Sequence, residues 1–254
     1  MMRRNRIRRM AGIAIVCAVA VGLSAGAAGA TPSTQIWIPS TDIQKFKTLH
    51  FGFDTYVRTR SNDAGEKVAP AVVLGLTGGV LPFEKIQAEV GFDLIHLGGD
   101  LDDYPLYFNA KVGTPEDALF KHSPAIAVGG YNFGTKKDVT DQNMVYGLVA
   151  KTFPVIGRLS VGYFGGNDKL FLDKNGKKDE KGLLLSWDRT LSEISDKLWA
   201  AVDYQGTDSA IGALNFAFSY AFAENVSVIF GYDIYNEKTT GGENTFTVQL
   251  DINF

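Results

Sequence analysis

The chain has 254 residues with 25 basic and 28 acidic side chains, so its formal net charge is −3. Without its first 30 residues, which hold five arginines and no acid, 20 bases face 28 acids and the charge is about −8. This charge excludes nucleic acid as a partner, because nucleic-acid binding requires a basic surface. The single cysteine, Cys17, lies in the same 30 residues, so we expect neither disulfides nor thiol catalysis in the mature chain.

Residues 1–30 have the three parts of a secretory signal peptide. A cluster of arginines precedes an apolar run from Ala11 to Val21, and the segment ends in Ala28-Gly29-Ala30. We expect cleavage after Ala30. A membrane-anchoring helix is the alternative, but the Gly/Ala-rich end suits cleavage better than a span of about 20 residues.

The next segment, residues 31–47, has no clean hydrophobic period, and we call it the lead-in. We expect it to lie in the periplasm or inside the structure that follows. From Thr48 onward, apolar and polar residues alternate in short runs, and alternation with a period of two predicts strands. Most runs have the length of a tilted membrane strand, about 9–11 residues, rather than that of a soluble strand, about 5–6. The twelve runs cover about residues 48–59, 71–81, 86–98, 105–114, 124–135, 143–153, 157–167, 182–191, 197–207, 211–222, 226–237 and 244–254.

The connectors between the runs alternate between tight turns and longer polar loops. Tight turns occupy residues 81–84, 153–156, 192–196 and 223–225, and longer loops occupy 61–67, 99–104, 136–142, 168–181 and 238–243. Two connectors depart from this rule, because 115–123 is longer and 208–210 is shorter than expected. Short turns inside and long loops outside are typical of outer-membrane barrels, and an even number of strands places both termini on the periplasmic side.

The last run shows the clearest alternation, and its apolar face includes Leu250, Ile252 and the final residue, Phe254. It resembles the C-terminal strand of bacterial outer-membrane barrels. This resemblance implies that these three residues form the signal read by the barrel-assembly machinery. Together with the signal peptide and the alternating runs, it makes the chain similar to small proteobacterial outer-membrane barrels of uncharacterised function. The similarity implies a Gram-negative outer membrane as the location, with its lipid and lipopolysaccharide as partners.

A sheet in hydrocarbon cannot leave its edges unpaired, because each backbone N–H and C=O needs an internal partner there. We therefore predict an all-β fold, a closed up-and-down antiparallel transmembrane barrel of about 12 strands. Residues 48–59 should pair with residues 244–254, and the barrel domain should cover residues 48–254.

The polar faces of the strands should point into the lumen. The predicted lumen-lining residues are His50, Asp54, Arg58, Glu89, Asp93, Lys111, Lys151, Arg158, Asp188, Asp203, Asp233, Gln249 and Asp251. They include seven acids and four permanent bases, which favours a narrow, mildly cation-favouring, porin-like channel for small hydrophilic solutes. The alternative is a non-conducting structural or surface-interaction barrel, in which the bases neutralise the acids and the lead-in fills the interior. Strand number does not decide, because 12 lies between the filled 8-stranded and the open 16-stranded barrels.

A lipid-acting hydrolase is a third, weaker hypothesis, because such an enzyme needs a serine beside a base. His50 has no serine nearby on its strand, and adjacent residues such as His122 and Ser123 point to opposite faces. The acidic segment 173–180 lacks the spacing of a calcium loop, and Asn175-Gly176 predicts a type I′ turn instead. We therefore expect no catalytic residues, no metal and no cofactor.

Overall fold

The structure is a computed structural model that describes residues 33–61 and 65–254. The expected signal peptide, its cleavage site and Cys17 lie outside the described residues. None of the described helices is long and apolar enough to cross a membrane. The strands are β1 Leu49–Arg58, β2 Ala71–Gly79, β3 Gln87–His96, β4 Leu106–Thr114, β5 Ala125–Gly134, β6 Asp141–Phe153, β7 Gly157–Gly165, β8 Lys181–Thr190, β9 Leu198–Gln205, β10 Ala213–Ala223, β11 Val226–Tyr235 and β12 Thr245–Asn253, with a 3-10 helix at Gly99–Asp103 and a short helix α1 at Lys238–Gly241.

The twelve described strands form one closed antiparallel barrel, in which each strand pairs with its neighbours in sequence and β1 pairs with β12. Every strand boundary lies within two residues of its predicted position. The closing register runs from His50 opposite Asn253 to Arg58 opposite Thr245. The predicted fold class and closure are confirmed. We call the end of the barrel where β1 begins and β12 ends the terminus end, and the opposite end the loop end.

Burial in this barrel is the reverse of that in a water-soluble protein. Large apolar side chains on the outer face, such as Val90, Val128 and Val145, are about half exposed, at 50%, 56% and 55%. Polar side chains on the inner face, such as Thr247 and Gln249, are buried. An apolar outer band around a polar interior is what a barrel in hydrocarbon requires.

The lead-in lies inside the barrel. Residues 33–40 fold back on themselves, since the Ser40 N–H donates to the Ser33 carbonyl at 3.2 Å and the Gln35 N–H donates to the Ile38 carbonyl at 2.8 Å. The chain then returns to the terminus end, where the Lys47 N–H donates to the Gly79 carbonyl at 3.1 Å. Of the two places considered for the lead-in, its described residues occupy the lumen.

The hairpin in the connector between β7 and β8 differs from the predicted type I′ turn. Positive φ occurs at Gly176 (73°) and not at Asn175, whereas a type I′ turn requires it at both. The Asp173 carboxylate accepts the N–H groups of Asn175 and Lys177, both at 2.8 Å. These bonds hold Asn175 in the ordinary φ range and leave the left-handed position to glycine.

Candidate functional site: two halves of the lumen

One half of the inner wall, formed by β6–β11, packs against the lead-in, and we call it the packed wall. Ile38 is fully buried in a cluster that includes Met144, Leu148 and Phe164. Ile36 is buried in a second cluster with Trp199 and other side chains of the same half. Burial of each isoleucine contributes about 1.5–3 kcal/mol. The apolar side chains on the inside of this wall are thus the docking surface of the lead-in.

Asp203 on β9 anchors the tip of the lead-in. Its Oδ2 accepts three successive backbone N–H groups, from Ile36 at 2.9 Å, Trp37 at 2.9 Å and Ile38 at 3.3 Å. Its Oδ1 accepts the side-chain amide of Asn215 at 2.6 Å. Successive N–H groups that converge in this way make a concave site for an anion, and a buried carboxylate needs such donors. Asp203 therefore fixes the tip in place.

A second anchor lies on the packed wall at the terminus end. Arg158 on β7 contacts Asp42 of the lead-in at 2.6 Å and Asp188 of β8 at 2.9 Å. Asp188 also accepts hydrogen bonds from the Gln35 amide at 3.0 Å and the Trp199 indole at 3.2 Å. The positive and negative charges predicted for this face are therefore satisfied by each other and by the lead-in.

A third anchor comes from the opposite side of the barrel. Lys111 on β4 forms an ion pair with Glu89 on β3 at 3.2 Å. Its ammonium group also donates to the carbonyls of Ser33 and Ser40, both at 3.2 Å, and to that of Asp42. The Glu89 carboxylate accepts the Ser33 hydroxyl at 3.0 Å. Lys111 and Glu89 thus hold the lead-in from the side that faces away from the packed wall.

The other half of the wall, β12 with β1–β5, borders a cavity of ≈ 450 Å³, and we call it the open wall. The cavity reaches from Leu97 at the loop end to His50 and Thr77 near the terminus end. Gly52 and Gly75 leave part of this wall without side chains, and a Cβ at Gly75 would lie 2.6 Å from the Asp93 carboxylate. The cavity exists because the lead-in packs against one half of the wall and small residues line the other.

The predicted lumen residues of the open wall meet around this cavity and give it an acidic lining. His50, Asp54, Glu89, Asp93, Lys111 and Asp251 all line it, with Arg58 near the loop end. His50 lies 3.4 Å from Asp251, and Glu89 pairs with Lys111. Asp93 accepts the Asn109 amide at 2.8 Å. Within the part of the chain that the structure describes, Asp54 and Asp93 form no salt bridge.

Aromatic rings border the cavity at the loop end, next to the tip of the lead-in. Trp37, next to the anchored tip, makes edge contacts with the rings of Tyr56 and Tyr235, with centroids 5.4 and 5.8 Å away. Its indole N–H donates to the Ile211 carbonyl at 2.9 Å. The Arg58 guanidinium lies over the Tyr235 ring, 4.7 Å from its centroid. These contacts fix the position of Trp37, which itself lines the cavity.

Lys151 is not a lumen residue, and the prediction for it is wrong. In β6 the buried positions are Met144, Tyr146, Leu148 and Ala150, so Lys151 belongs to the outward face. Its ammonium group contacts Glu116, in the turn after β4, at 2.9 Å. Burial alone would raise the pKa of Glu116, but hydrogen bonds from Thr152 and Lys151 lower it below its ordinary value. The error arose because β6 is apolar on both faces, so polarity does not mark its inner side.

Two further predicted lumen residues, Asp233 and Gln249, do not line the cavity. Asp233 is buried and accepts the Thr245 hydroxyl. Gln249 donates to the Ile36 carbonyl at 2.9 Å and so belongs to the lead-in contacts. The last residue, Phe254, extends the pairing of β1 with β12, because its N–H donates to the Leu49 carbonyl at 2.8 Å. Recognition of the last strand by an assembly machinery stays a prediction.

The histidines do not form the serine–base arrangement of a hydrolase. The ring nitrogens of His50 face Asn253 at 3.1 Å and Asp251 at 3.4 Å. His122 is exposed in the turn after β4, with a φ of 66°. Within the described residues, no group of three or more histidine, cysteine or acidic side chains is placed to hold a metal ion.

The residues that sequence reasoning missed are mainly in the lead-in. Ile36, Ile38, Asp42 and Gln44 carry its contacts, but a 17-residue stretch without a period offers no face to assign. The Ile36-Trp37-Ile38 triplet is the available signal, because a cluster of large apolar residues outside any strand calls for a partner surface.

Comparisons with known proteins identify the fold. No protein-family model and no curated protein matches the chain. The structure of the KdgM porin matches with a TM-score of 0.50 at 8% identity, over 82% of this chain and 99% of that one. The COG4313 outer membrane channel from Pseudomonas putida F1 matches with a TM-score of 0.42 at 13% identity, over 81% and 92% of the two chains. The NanC porin gives 0.43 at 12% identity, over 80% and 97%. The likeness to the KdgM porin shows a shared barrel fold.

Proposed function

We propose that the chain is a narrow, porin-like channel for small hydrophilic solutes in the outer membrane of a Gram-negative bacterium, with both termini periplasmic. The observation that carries the proposal is the polar cavity of ≈ 450 Å³ along the open wall. Lipid and lipopolysaccharide contact the apolar outer face, and the barrel-assembly machinery reads Leu250, Ile252 and Phe254.

The charge of the cavity gives the channel a preference for cations. Asp54 on β1 and Asp93 on β3 both line the cavity, and Gly75 on β2 lies between the two strands. Carboxylates that line a narrow passage attract cations and repel anions. Two permanent bases of the lumen are already paired, since Lys111 pairs with Glu89 and Arg158 pairs with Asp42 and Asp188, whereas Arg58 lies over the Tyr235 ring at the loop end.

Single-channel recording on the purified, refolded protein in planar bilayers tests this function. We expect small, regular conductance steps. In a potassium chloride gradient, the sign of the reversal potential should show that potassium is more permeant than chloride. A bilayer without steps above the protein-free baseline contradicts a conducting channel. A reversal potential on the anion side contradicts the role given to the cavity carboxylates.

A second candidate, a non-conducting structural or surface-interaction barrel, is favoured by the lead-in inside the lumen. The lead-in is held by Asp203, Arg158 and Lys111 and buries three isoleucines, Ile36, Ile38 and Ile43, so it is a firmly docked segment. The same recordings separate the two functions, because a structural barrel gives no conductance with the lead-in in place.

A further inference from the structure

A row of inward residues crosses the open wall from one carboxylate to another. In the register of the sheet, Asp251 on β12 lies opposite Gly52 on β1, and Gly52 lies opposite Gly75 on β2. Gly75 in turn lies opposite Asp93 on β3, and all four residues line the cavity. Three strand spacings, about 14 Å along the wall, separate the two acidic residues. The two residues between them carry no side chain.

Both ends of this row lean over the glycines. A Cβ at Gly75 would lie 2.6 Å from a carboxylate oxygen of Asp93, so that carboxylate lies over Gly75. At the other end, a Cβ at Gly52 would lie 3.6 Å from the Nε2 atom of His50, which is 3.4 Å from Asp251. The two glycines therefore form the floor of a slot in the cavity, with an acidic group at each end, and we call it the glycine slot.

The glycine slot has more acidic groups than partners for them. Asp251 is 4% exposed, and its Oδ2 has no hydrogen-bond partner among the described residues. Its Oδ1 faces His50, which carries a charge only when it is protonated. Asp54, two residues after Gly52 on β1, lines the same cavity. Ionisable side chains inside a membrane protein usually pair with one another or mark a pathway for ions or solutes. A bound cation would supply the missing partner.

The arrangement of these groups favours an organic cation over a metal ion. The acidic side chains of the slot are spread along it, and no group of three or more such side chains among the described residues converges on one point to hold a metal ion. Aromatic rings of Trp37, Tyr56 and Tyr107 line the same cavity. Such rings attract ammonium groups through cation–π contacts. Carboxylates next to aromatic rings therefore match an ammonium ion with a hydrocarbon body.

We infer that the glycine slot binds a linear aliphatic diammonium ion, with one ammonium group at Asp93 and the other between Asp251 and Asp54. As a statement about the solute of the channel, the inference rests on the proposed function. Each ammonium group carries one charge and three hydrogen-bond donors, so the two groups match the two acidic ends. The methylene chain between them lies over the glycine floor. The cavity volume of ≈ 450 Å³ lies in the range of small-molecule sites, about 300–1,000 Å³.

Calorimetric titration of the refolded protein in a non-ionic detergent at pH 7 tests the inference independently of conductance. The probe is 1,4-diaminobutane, and 1-aminobutane and 1,4-butanediol are analogues with the same carbon chain and one charge or none. We expect the diamine to bind at one site per chain, the monoamine to bind about tenfold more weakly, and the diol not to bind. Equal affinity for diamine and monoamine contradicts recognition at both ends of the slot, and no binding of the diamine overturns the inference.

Substitutions at the two ends locate the site. Asp93→Asn and Asp251→Asn each remove one charge and keep the shape of the side chain, so each variant should bind the diamine no more tightly than the unmodified protein binds the monoamine. Asp233→Asn is the matched control, because Asp233 is a buried inward carboxylate outside the cavity lining, and it should leave the affinity unchanged. Heat-modifiable gel migration verifies folding, and Asp54→Asn, with the same expected loss, replaces Asp251→Asn if that variant does not fold. Unchanged affinity in the end variants, or an equal loss in Asp233→Asn, overturns the inference.

Single-channel recording separates this inference from the proposed function. In the unmodified protein, added 1,4-diaminobutane should reduce the potassium current reversibly, and Asp93→Asn should weaken this block. Diamine binding by a protein that gives no conductance supports the glycine slot as a binding site and contradicts the channel. Conductance without diamine binding overturns the slot and leaves the channel standing. Absence of both binding and conductance overturns both.

Discussion

The open wall and the packed wall are built by the same alternation, yet their inner faces differ in kind. The open wall carries small and ionisable residues such as Gly52, Asp54 and Asp93, whereas the packed wall carries large apolar ones such as Leu148 and Phe164. A barrel of 12 strands is wider than the 8-stranded barrels that wall side chains fill and narrower than an open 16-stranded porin. The lead-in packs against the half with large apolar side chains and leaves a cavity along the other half. A residue's place on the inner face therefore does not say whether it meets solvent or protein.

The largest effect should come from loss of the main anchor on the packed wall. Asp203→Ala removes the acceptor of three backbone N–H groups, and each buried unsatisfied group costs about 1–3 kcal/mol. We expect the lead-in to detach, with rapid trypsin cleavage after Lys45 and Lys47 and a large rise in conductance.

Asp233→Ala is the control for this change, because Asp233 is an equally buried inward carboxylate whose hydrogen bond goes to Thr245 rather than to the lead-in. Equal cleavage rates in the two variants would mean that Asp203 does not hold the lead-in.

The next effect concerns the open wall. Gly52→Trp places a large ring in the cavity, where a Cβ meets nothing closer than the His50 ring at 3.6 Å, so the conductance should fall severalfold while the barrel stays folded. Gly147→Trp is the control, because Gly147 lies on the outward face of β6 and an added Cβ would meet no atom within 4 Å there. A conductance that is lowered equally by both, or by neither, would rule out the open wall as the route.

A smaller effect is expected from neutralising one cavity charge. Asp54→Asn keeps the shape of the side chain and removes one of the two cavity carboxylates that form no salt bridge with a described residue, so cation selectivity should decrease without being abolished. The reversal potential in a salt gradient measures this change. Asp233→Asn, which alters a carboxyl group outside the cavity lining, should have no effect, and an equal shift in both variants would show that selectivity is not set in the cavity.

The smallest effect lies in the loops above the packed wall, where Lys174 contacts Glu237 at 2.9 Å. The hydrogen bond from Lys174, with further bonds from Thr239, lowers the pKa of Glu237 from 4.5 to about 2. A lowered pKa in the folded state means that the contact stabilises above pH 4.5 and is lost as the pH falls toward 2. Both groups are at the surface, so overall stability should change little.

Carbon-13 NMR titration of the Glu237 carboxyl group checks this prediction. Lys174→Ala should move the midpoint up toward the ordinary value. A midpoint that is the same in both proteins would show that the two loops do not meet.

The sequence predicts the strands well and the contents of the lumen poorly, for a physical reason. Alternation with a period of two is a local property, so the boundaries of β12 and the other strands, and the closure that hydrocarbon imposes, could be derived. The inner face of β6 could not, because an apolar lumen-facing residue such as Leu148 depends on a partner far away in sequence. Asp203 was identified as an inward carboxylate, but its three donors in the lead-in follow from tertiary packing alone.

Cysteine labelling at two inward positions tests the division of the lumen most directly, since the chain beyond Cys17 contains no cysteine. Gly52→Cys lies on the cavity, and Ala201→Cys lies against Ile36 of the lead-in. A small, charged thiol reagent should modify the first rapidly and reduce the conductance, whereas the second should stay protected in the folded barrel. Equal rates at the two positions would contradict a lumen that is filled on one side and open on the other.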